Sequence, residues 1–196
     1  MRNIFALASI AALLASPSLA QNSVTSWSNG NYDITGSAVG EDPSCIMTST
    51  FTIAGRADVA FALLLTGDDA IFALTSTDWS AVQGQVYEGF AYYFPEADSL
   101  FNGGVTRGYV HRSIEKGFVT SFGPDFLDRL AAENRLVVGR QPEGGEVVIV
   151  ADLNLIGTGT AVAALRRCAT HVTQREAARI RRENRNDYIA RDPFAN

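Results

Sequence analysis

Histidine, cysteine and lysine are scarce in this chain of 196 residues, and their scarcity limits the chemistry it can carry. His111 and His171 are the only histidines, and neither has a cysteine or another histidine at metal-ligand spacing. A metal site therefore lacks ligands, and we predict neither a metal ion nor any other cofactor. Lys116 is the one lysine, so nearly all positive charge is arginine.

Motifs that specify a reaction are also missing. The chain has no G-x-S-x-G nucleophile elbow. Gly157-Thr158-Gly159-Thr160 follows a predicted strand and opens a helix, which is the setting of a phosphate-binding turn. Val162 stands where a dinucleotide turn would have a third glycine or alanine, and no lysine follows. We interpret the segment as a tight connection with Thr158 or Thr160 as the helix N-cap.

No apolar run is long enough to span a membrane, which takes about 20 residues. The longest, residues 4–15, is apolar apart from Ser9, follows Arg2 and ends before Pro17, with small side chains up to Ala20. This is the pattern of a cleavable signal peptide over residues 1–20. The mature protein would begin at Gln21, and because that residue is not cysteine, lipid anchoring is not expected. We predict an exported product, periplasmic or extracellular, that is soluble and not membrane-spanning after processing.

Negative charge exceeds positive charge. Without the signal peptide the chain has 15 basic and 21 acidic residues, a net charge of −6 with histidine neutral. An acidic chain gains no overall attraction to nucleic acid, so we predict no nucleic-acid partner. A mature chain of this length can bury one core, and we expect a single β-rich domain over residues 21–173.

The two cysteines, Cys45 and Cys168, are 123 positions apart. In an exported chain, two cysteines indicate one disulfide, since the compartment is oxidising. A nucleophilic thiol is the alternative. The predicted bridge would close most of the domain.

β-strand patterns dominate the middle of the chain. Val59, Phe61, Leu63 and Leu65 alternate with their neighbours, which points one face of a strand at a core. The turn sequence at 66–69 predicts a hairpin with a strand at 70–75. Other strands are predicted at 32–37, 46–54, 85–94, 105–111, 117–121, 136–139 and 146–155, after an irregular polar lead-in at 21–31.

Two helices complete the pattern. Gly123-Pro124-Asp125 is a helix start, and the helix should end near Asn134. A second helix over 160–172 carries an apolar stripe of Ala161, Leu165, Cys168 and Val172. We predict a mostly β (α+β) fold, an antiparallel β-sandwich or curved sheet with one short helix and a C-terminal helix packed on it.

Residues 174–196 are predicted to form a charged, arginine-rich helical tail. Glu176, Glu183 and Asp187 are interleaved with the arginines, which is typical of a solvent-exposed helix. The alternative is a basic patch for an acidic protein or an anionic envelope component. Its candidate residues are Arg175, Arg179, Arg181, Arg182 and Arg185.

Three further groups are candidate sites. The aromatic stretch 87–94, together with Trp79, either packs in the core or lines a groove for an apolar or sugar ligand. His111 could act as a general base if an acid lay beside it, but its place at a strand end favours an exposed histidine. The acid pairs Glu41-Asp42 and Asp68-Asp69 suit turns better than acid–base or calcium sites.

The C-terminal part of the predicted domain resembles a known family. Leu153-x-Leu155-x-Gly157 is followed by small helical residues and preceded by strands, in a chain with an early cysteine. This resembles small exported α-proteobacterial proteins of the invasion-associated locus B type. The resemblance implies a periplasmic or surface β-sandwich without an established catalytic site, and it transfers no functional residues.

We therefore predict a non-enzymatic envelope or secreted protein that binds another macromolecule. A small periplasmic hydrolase and a purely structural envelope protein are the alternatives. A cleft that joins His111 to an acid would favour the hydrolase. A convex surface there would favour binding.

Overall fold

The computed structural model describes residues 23–37, 44–52, 57–66, 69–111 and 114–190, with side chains from 26 to 183. The predicted signal peptide lies outside these residues. The strands are β1 (Ser23–Ser28), β2 (Asp33–Ser37), β3 (Ser44–Phe51), β4 (Val59–Thr66), β5 (Asp69–Ser76), β6 (Val86–Tyr87), β7 (Phe90–Phe94), β8 (Ser99–Phe101), β9 (Thr106–His111), β10 (Glu115–Phe122), β11 (Arg135–Arg140) and β12 (Val148–Asn154). The helices are α1 (Pro124–Ala132) and α2 (Thr158–Ala190), with a short 3-10 helix at Pro95–Ala97.

The strands form two antiparallel sheets. The large sheet has the order β1-β2-β3-β4-β5-β10-β9-β6, and the small sheet has the order β12-β11-β7-β8. The main core combines side chains from both sheets and both helices. A second apolar cluster lies apart from it and includes Leu64, Ala73 and Tyr109. The predicted mostly β fold with a C-terminal helix packed on a sheet is confirmed.

The alternating pattern of β4 and β5 fills the core. Phe61, Leu63, Phe72 and Leu74 are buried together, because alternate side chains of a strand point to the same face. The rings of Phe61 and Phe72 meet edge to face with centroids 5.4 Å apart. The last and first residues of the two strands are register partners, which confirms the predicted hairpin.

The irregular lead-in predicted at 21–31 is wrong in its larger part. Ser23–Ser28 forms β1, and it pairs with β2 along the edge of the large sheet. An edge strand needs only one neighbour and tolerates polar side chains, so its residues show little hydrophobic pattern. Asn29 then shapes the turn, since its Oδ1 accepts hydrogen bonds from the backbone N–H groups of Asn31 and Tyr32.

The single β region predicted at 85–94 is also wrong. β6 pairs with β9 in the large sheet, whereas β7 pairs with β11 and β8 in the small sheet. Gly89 redirects the chain between them with a φ of +77°, which glycine adopts at little cost. Within β7, Tyr92 and Phe94 share one face of the strand and are fully buried.

Gly89 gives a test of this division. A Cβ there would overlap the carbonyl oxygen of Gln141, whereas one at Gly84, also at φ +77°, meets nothing within 4 Å. Gly84→Ala should therefore lower the free energy of unfolding by about 1 kcal/mol, from backbone strain alone. Gly89→Ala should cost about 2–4 kcal/mol because the overlap is added. Urea unfolding measures both, and equal costs would contradict the close packing at Gly89.

The helices cover one side of the large sheet. On α1, Phe126, Leu127 and Leu130 are buried, since residues three and four apart lie on one face of a helix. On α2 the predicted stripe is buried from Ala161 to Val172. The Cα atoms of Cys45 on β3 and Cys168 on α2 are 6.0 Å apart, with the sulfur atoms at disulfide distance. The sheet and the long helix are thus joined covalently.

Helix α2 continues without a break to Ala190, so that the packed stripe and the described part of the segment predicted as a helical tail form one helix. From Thr173 to Glu183 its described side chains are exposed, apart from a half-buried Glu176. At about 1.5 Å per residue, the part beyond Val172 is about 27 Å long. Among the described residues, no helix combines the length and apolarity that crossing a membrane requires.

Candidate functional site

Aromatic side chains that are distant in sequence line a cleft between the two sheets. Trp79 stacks on Phe118 with ring centroids 5.8 Å apart, and Phe90 contacts Phe118 at 4.5 Å. Tyr87 forms another part of the wall, and the volume is about 340 Å³. We call this space the aromatic cleft. Its size and lining suit an apolar side chain or a small ligand.

Arg140 brings a positive charge to this cleft. Its guanidinium carbon lies 5.1 Å from the ring centroid of Tyr87 and 5.8 Å from that of Phe90. The Nε atom donates a hydrogen bond to the carbonyl oxygen of Glu88, 3.2 Å away. Stacking and hydrogen bonding fix the orientation of the guanidinium. No described acidic side chain forms an ion pair with it.

The third wall of the aromatic cleft is strand β12, at the edge of the small sheet. β12 pairs with β11 on one side, and its other side has no strand partner in the described part of the chain. Val147, Val148 and Ile149 are 62%, 56% and 51% exposed. Natural sheet edges are usually protected by charge, proline or a covering element. Over these three residues the chain is uncharged, β-branched and exposed, which is characteristic of an interaction surface.

A β-bulge in β12 increases the number of its side chains that line the aromatic cleft. Val138 of β11 pairs with Ala151, but Gly139 pairs with Ile149, so Val150 is an extra residue in the ladder. Such a bulge changes the direction of the side chains around it. Val148, Ile149 and Val150 accordingly all line the aromatic cleft, whereas consecutive residues of a regular strand point to opposite faces.

A larger cleft of about 750 Å³ contains His111. His111 on β9 lies directly opposite Glu115 on β10 in the strand register, which places the two side chains on one face. The Thr75 hydroxyl donates a long hydrogen bond of 3.5 Å to Glu115. The ring of Tyr109 stacks on that of His111 at 6.4 Å. The structure therefore places His111 with an acid in one cleft, which we call the histidine cleft.

Tyr109 is the unusual member of the histidine cleft. The residue is 2% exposed, and its buried hydroxyl has no hydrogen-bond partner among the residues that the structure describes. Burial, together with the negative charge of Glu115, raises the pKa of Tyr109 to about 12. Tyr92 has an equally raised pKa of about 12, also through burial, but its hydroxyl lies 2.7 Å from that of Thr120.

These two tyrosines should respond differently to loss of the hydroxyl. Tyr109→Phe should leave the free energy of unfolding at pH 7 unchanged or raise it by about 1 kcal/mol, because an unsatisfied buried group is removed. Tyr92→Phe should lower it by about 1 kcal/mol, because a hydrogen bond is lost. Urea unfolding of both variants at pH 7 makes the comparison. A loss above 1 kcal/mol for Tyr109→Phe would reveal a partner for its hydroxyl.

The same pair predicts an alkaline effect. In the folded protein the pKa of each tyrosine lies above its unfolded value of about 10. The unfolded chain therefore loses its protons first, and stability should fall as the pH rises from about 10 to about 12. Tyr109→Phe should make this decline shallower.

The predicted tail arginines lie on α2, beyond its packed part. Arg179 is bound within the helix, because it donates to both oxygens of Glu176 at 2.8 and 2.6 Å and to Glu183 at 2.5 Å. Ion pairs between residues three and four apart stabilise an exposed helix. Arg175, Arg181 and Arg182 are exposed and form no ion pair with the described residues. Arg185 belongs to the same helix, beyond the described side chains.

The segment 157–160 is a structural connection. Gly157 has a φ of +88°, and its carbonyl accepts the N–H of Ala161 as the helix begins. The predicted threonine N-cap is wrong, because both hydroxyls donate to carbonyl oxygens: Thr158 to Leu155 and Thr160 to Gly157. These bonds close the turn between β12 and α2.

The acid pairs provide no described site. Asp69 begins β5 opposite Thr66, while Glu41, Asp42 and Asp68 lie outside the described residues. His171 is exposed on α2. Within the described ranges, no three histidine, cysteine or acidic side chains come together as they would to hold a metal ion.

The fold resembles that of a known protein. The chain superposes on the crystal structure of invasion associated protein B from Bartonella henselae with a TM-score of 0.51. The superposition covers 75% of this chain and 98% of that protein, at 15% sequence identity. The resemblance predicted from the sequence is thereby confirmed for the fold alone. No protein-family model matches the chain, and no curated protein matches its sequence.

Sequence reasoning found part of the aromatic cleft and missed the rest. Trp79 and the aromatic stretch were candidates, and Trp79, Tyr87 and Phe90 do meet in the cleft. Phe118 and Arg140 were missed, because nothing local distinguishes them from other strand residues. One signal was available for β12: residues 147–151 are five consecutive apolar residues without a charge, as in an aggregation-prone or partner-binding strand.

Proposed function

We propose that this chain is an exported binding protein of the cell envelope, without catalytic activity, that holds a partner at the open edge of β12. The observation that carries the proposal is the exposed, uncharged edge from Val147 to Ile149 beside the aromatic cleft. A sheet edge offers unpaired N–H and C=O groups, and neighbouring pockets add specificity.

Export is supported by the N-terminal sequence and by the cysteine pair. Residues 1–20 have the composition of a signal peptide, and disulfides persist in oxidising compartments. We propose a periplasmic or extracellular location after cleavage at Ala20.

The tail is proposed as a second contact. Arg175, Arg181 and Arg182 are exposed and without ion pairs among the described residues, so an acidic protein or an anionic envelope component has accessible charge to bind. Arg179 contributes less, since Glu176 and Glu183 already occupy its guanidinium. The negative net charge of the whole chain argues against nucleic acid as the partner.

A pull-down from envelope extract tests the proposal. Wild-type protein is compared with Val148→Lys, with a matched control, Val105→Lys, and with a chain ending at Thr173. Val105 is 59% exposed and lies outside β12. We expect Val148→Lys to lose a partner that Val105→Lys retains, because a charge on an edge opposes strand pairing. Identical partners for the two lysine variants would refute binding at β12.

The truncated chain tests the tail separately. If the tail contributes, removal of residues 174–196 should lower recovery of the partner, most strongly at low salt, because exposed charges are screened as salt rises. Unchanged recovery at all salt concentrations would refute a role for the tail.

A small periplasmic hydrolase is the second candidate, favoured by one observation. His111 faces Glu115 in the histidine cleft, with the hydroxyls of Thr75 and Tyr109 nearby. A histidine oriented by an acid can act as a general base. Hydrolysis of a panel of ester and amide substrates that His111→Gln abolishes would establish this function. Activity that persists in His111→Gln would refute the role of His111.

A further inference from the structure

We infer that the aromatic cleft and β12 together bind an extended acidic peptide segment of another protein, which adds a strand to β12, inserts an apolar side chain into the aromatic cleft against Trp79 and Phe118, and places a carboxylate on Arg140. This inference rests on the proposed function and names the chemistry of the partner. Three independent features of the site support it.

The first feature is the backbone of β12. An edge strand can be extended only by another polypeptide in extended conformation, since the spacing of its N–H and C=O groups matches that of a strand. The apolar residues 147–151 place no charge in the way of such pairing. A small molecule would leave most of these groups unused.

The second feature is the position of the aromatic cleft beside that edge. Because of the bulge, Val148, Ile149 and Val150 all line the cleft. A peptide paired with β12 therefore runs alongside the opening. Its side chains alternate in direction, and one that points into the cleft meets the rings of Trp79 and Phe118. A volume of about 340 Å³ is large enough for an aromatic side chain.

The third feature is the charge of Arg140. It is oriented by two rings and by the carbonyl of Glu88, yet forms no ion pair with the described acids. A guanidinium presents paired donors that match a carboxylate. On a strand, residues two apart share a face. A glutamate two positions from the inserted side chain would therefore point to the same side as Arg140.

A second copy of this chain is a poorer occupant. In an antiparallel pairing of two copies centred on Val150, Asp152 of the second copy would lie opposite Val148, the register partner of Arg140. The Asp152 side chain is already held by Arg135, whose Nε and Nη2 donate to its two oxygens at 2.8 and 2.6 Å. The resulting ion pair lowers the pKa of Asp152. The net negative charge of both copies also opposes association.

Synthetic peptides can test the inference directly. The probe is a blocked, fluorescently labelled heptapeptide, TETFTET. It has a glutamate on each side of a central phenylalanine, so that one glutamate can reach Arg140 whether the peptide pairs parallel or antiparallel to β12. Three matched peptides replace the phenylalanine with alanine, replace both glutamates with glutamine, or carry N-methyl groups on alternate amides. Fluorescence anisotropy measures their binding to the full mature chain.

We expect the probe to bind and each matched peptide to bind about tenfold more weakly or worse. On the protein, Arg140→Gln should weaken the probe about tenfold but not the glutamine peptide, because the two changes remove the same contact. The matched control is Arg107→Gln, which removes an arginine that also donates to a backbone carbonyl, that of Gly84. It should leave binding unchanged.

Several results would overturn the inference. The first is that the probe does not bind at millimolar concentration. The second is that Arg140→Gln and Arg107→Gln weaken binding of the probe equally. The third is that the N-methylated peptide binds as tightly as the probe. Dimerisation of the wild type that Val148→Lys abolishes would also overturn it, by identifying a second copy as the occupant. If the peptides do not bind, but recovery of a partner from envelope extract is still lost in Val148→Lys, the inference is wrong and the proposed function stands.

Discussion

Replacing both cysteines with alanine, C45A/C168A, is expected to lower the free energy of unfolding by about 4 kcal/mol. The bridge joins residues 123 positions apart, so its removal releases a large closed loop in the unfolded chain. The chain-entropy account gives roughly 4–5 kcal/mol for such a loop, and native disulfides of small domains typically contribute 2–5. Alanine is chosen because both sites are buried and a polar replacement would add its own cost.

Equilibrium unfolding in urea measures this loss, and reduced wild-type protein is the control. Reduction opens the same loop without changing the sequence, so reduced wild type and C45A/C168A should unfold at similar urea concentrations. The account would be contradicted if oxidised and reduced wild type had the same midpoint. In that case packing alone would hold α2 on β3.

Phe126→Ala is expected to lower the free energy of unfolding by about 3–5 kcal/mol, the range for a large buried aromatic residue. Phe126 is 1% exposed and lies between the two sheets. Its ring stacks on Phe122 with centroids 3.8 Å apart and contacts the rings of Phe72, Tyr92 and Phe94 at 5.7–6.2 Å. Truncation would remove these contacts and leave a cavity that neighbouring rings fill only in part.

Phe126→Leu and Val105→Ala are the matched comparisons, again by urea unfolding. Leucine keeps part of the volume and should recover a substantial share of the loss. Val105 is exposed, so its truncation should change stability by less than about 0.5 kcal/mol. A loss below 1 kcal/mol for Phe126→Ala would show that α1 is not anchored in the core as the structure has it.

The elements that the sequence predicted well are those with a local signal. The alternation of Val59, Phe61, Leu63 and Leu65 and the turn after them define the β4–β5 hairpin without reference to the rest of the chain. The stripe on α2 behaves in the same way, because Ala161, Leu165 and Cys168 lie on one helical face. Each of these patterns can be recognised within a single strand, turn or helix, because it depends only on which side chains of that element are buried.

The elements that were predicted wrongly depend on distant partners. β1 is polar, and its strand conformation comes from pairing with β2 rather than from its own side chains. The assignment of β6 and β7 to different sheets depends on Gly89, whose neighbour Gln141 is 52 positions away in the chain. A contact across that separation leaves no periodic pattern in either segment.

The candidate site was predictable to a similar extent. The sequence singles out Trp79 and the aromatic stretch as large aromatic residues. It does not show whether each ring packs in the core or lines a cleft, because that depends on the face to which the strand turns it. Arg140 carries no distinguishing motif and gains its role from Tyr87 and Phe90 on other strands. The open edge of β12 is a property of sheet order, which pairing between strands decides.

Site-specific photo-crosslinking in native cells tests the central claim, that a partner binds at the edge of β12, most directly. A photo-reactive phenylalanine analogue is placed at Val148 and, as the control, at the equally exposed Val105. The account predicts a discrete crosslinked species of higher mass from position 148 that position 105 does not give. The absence of any crosslink at position 148, or the same species from both positions, would contradict it.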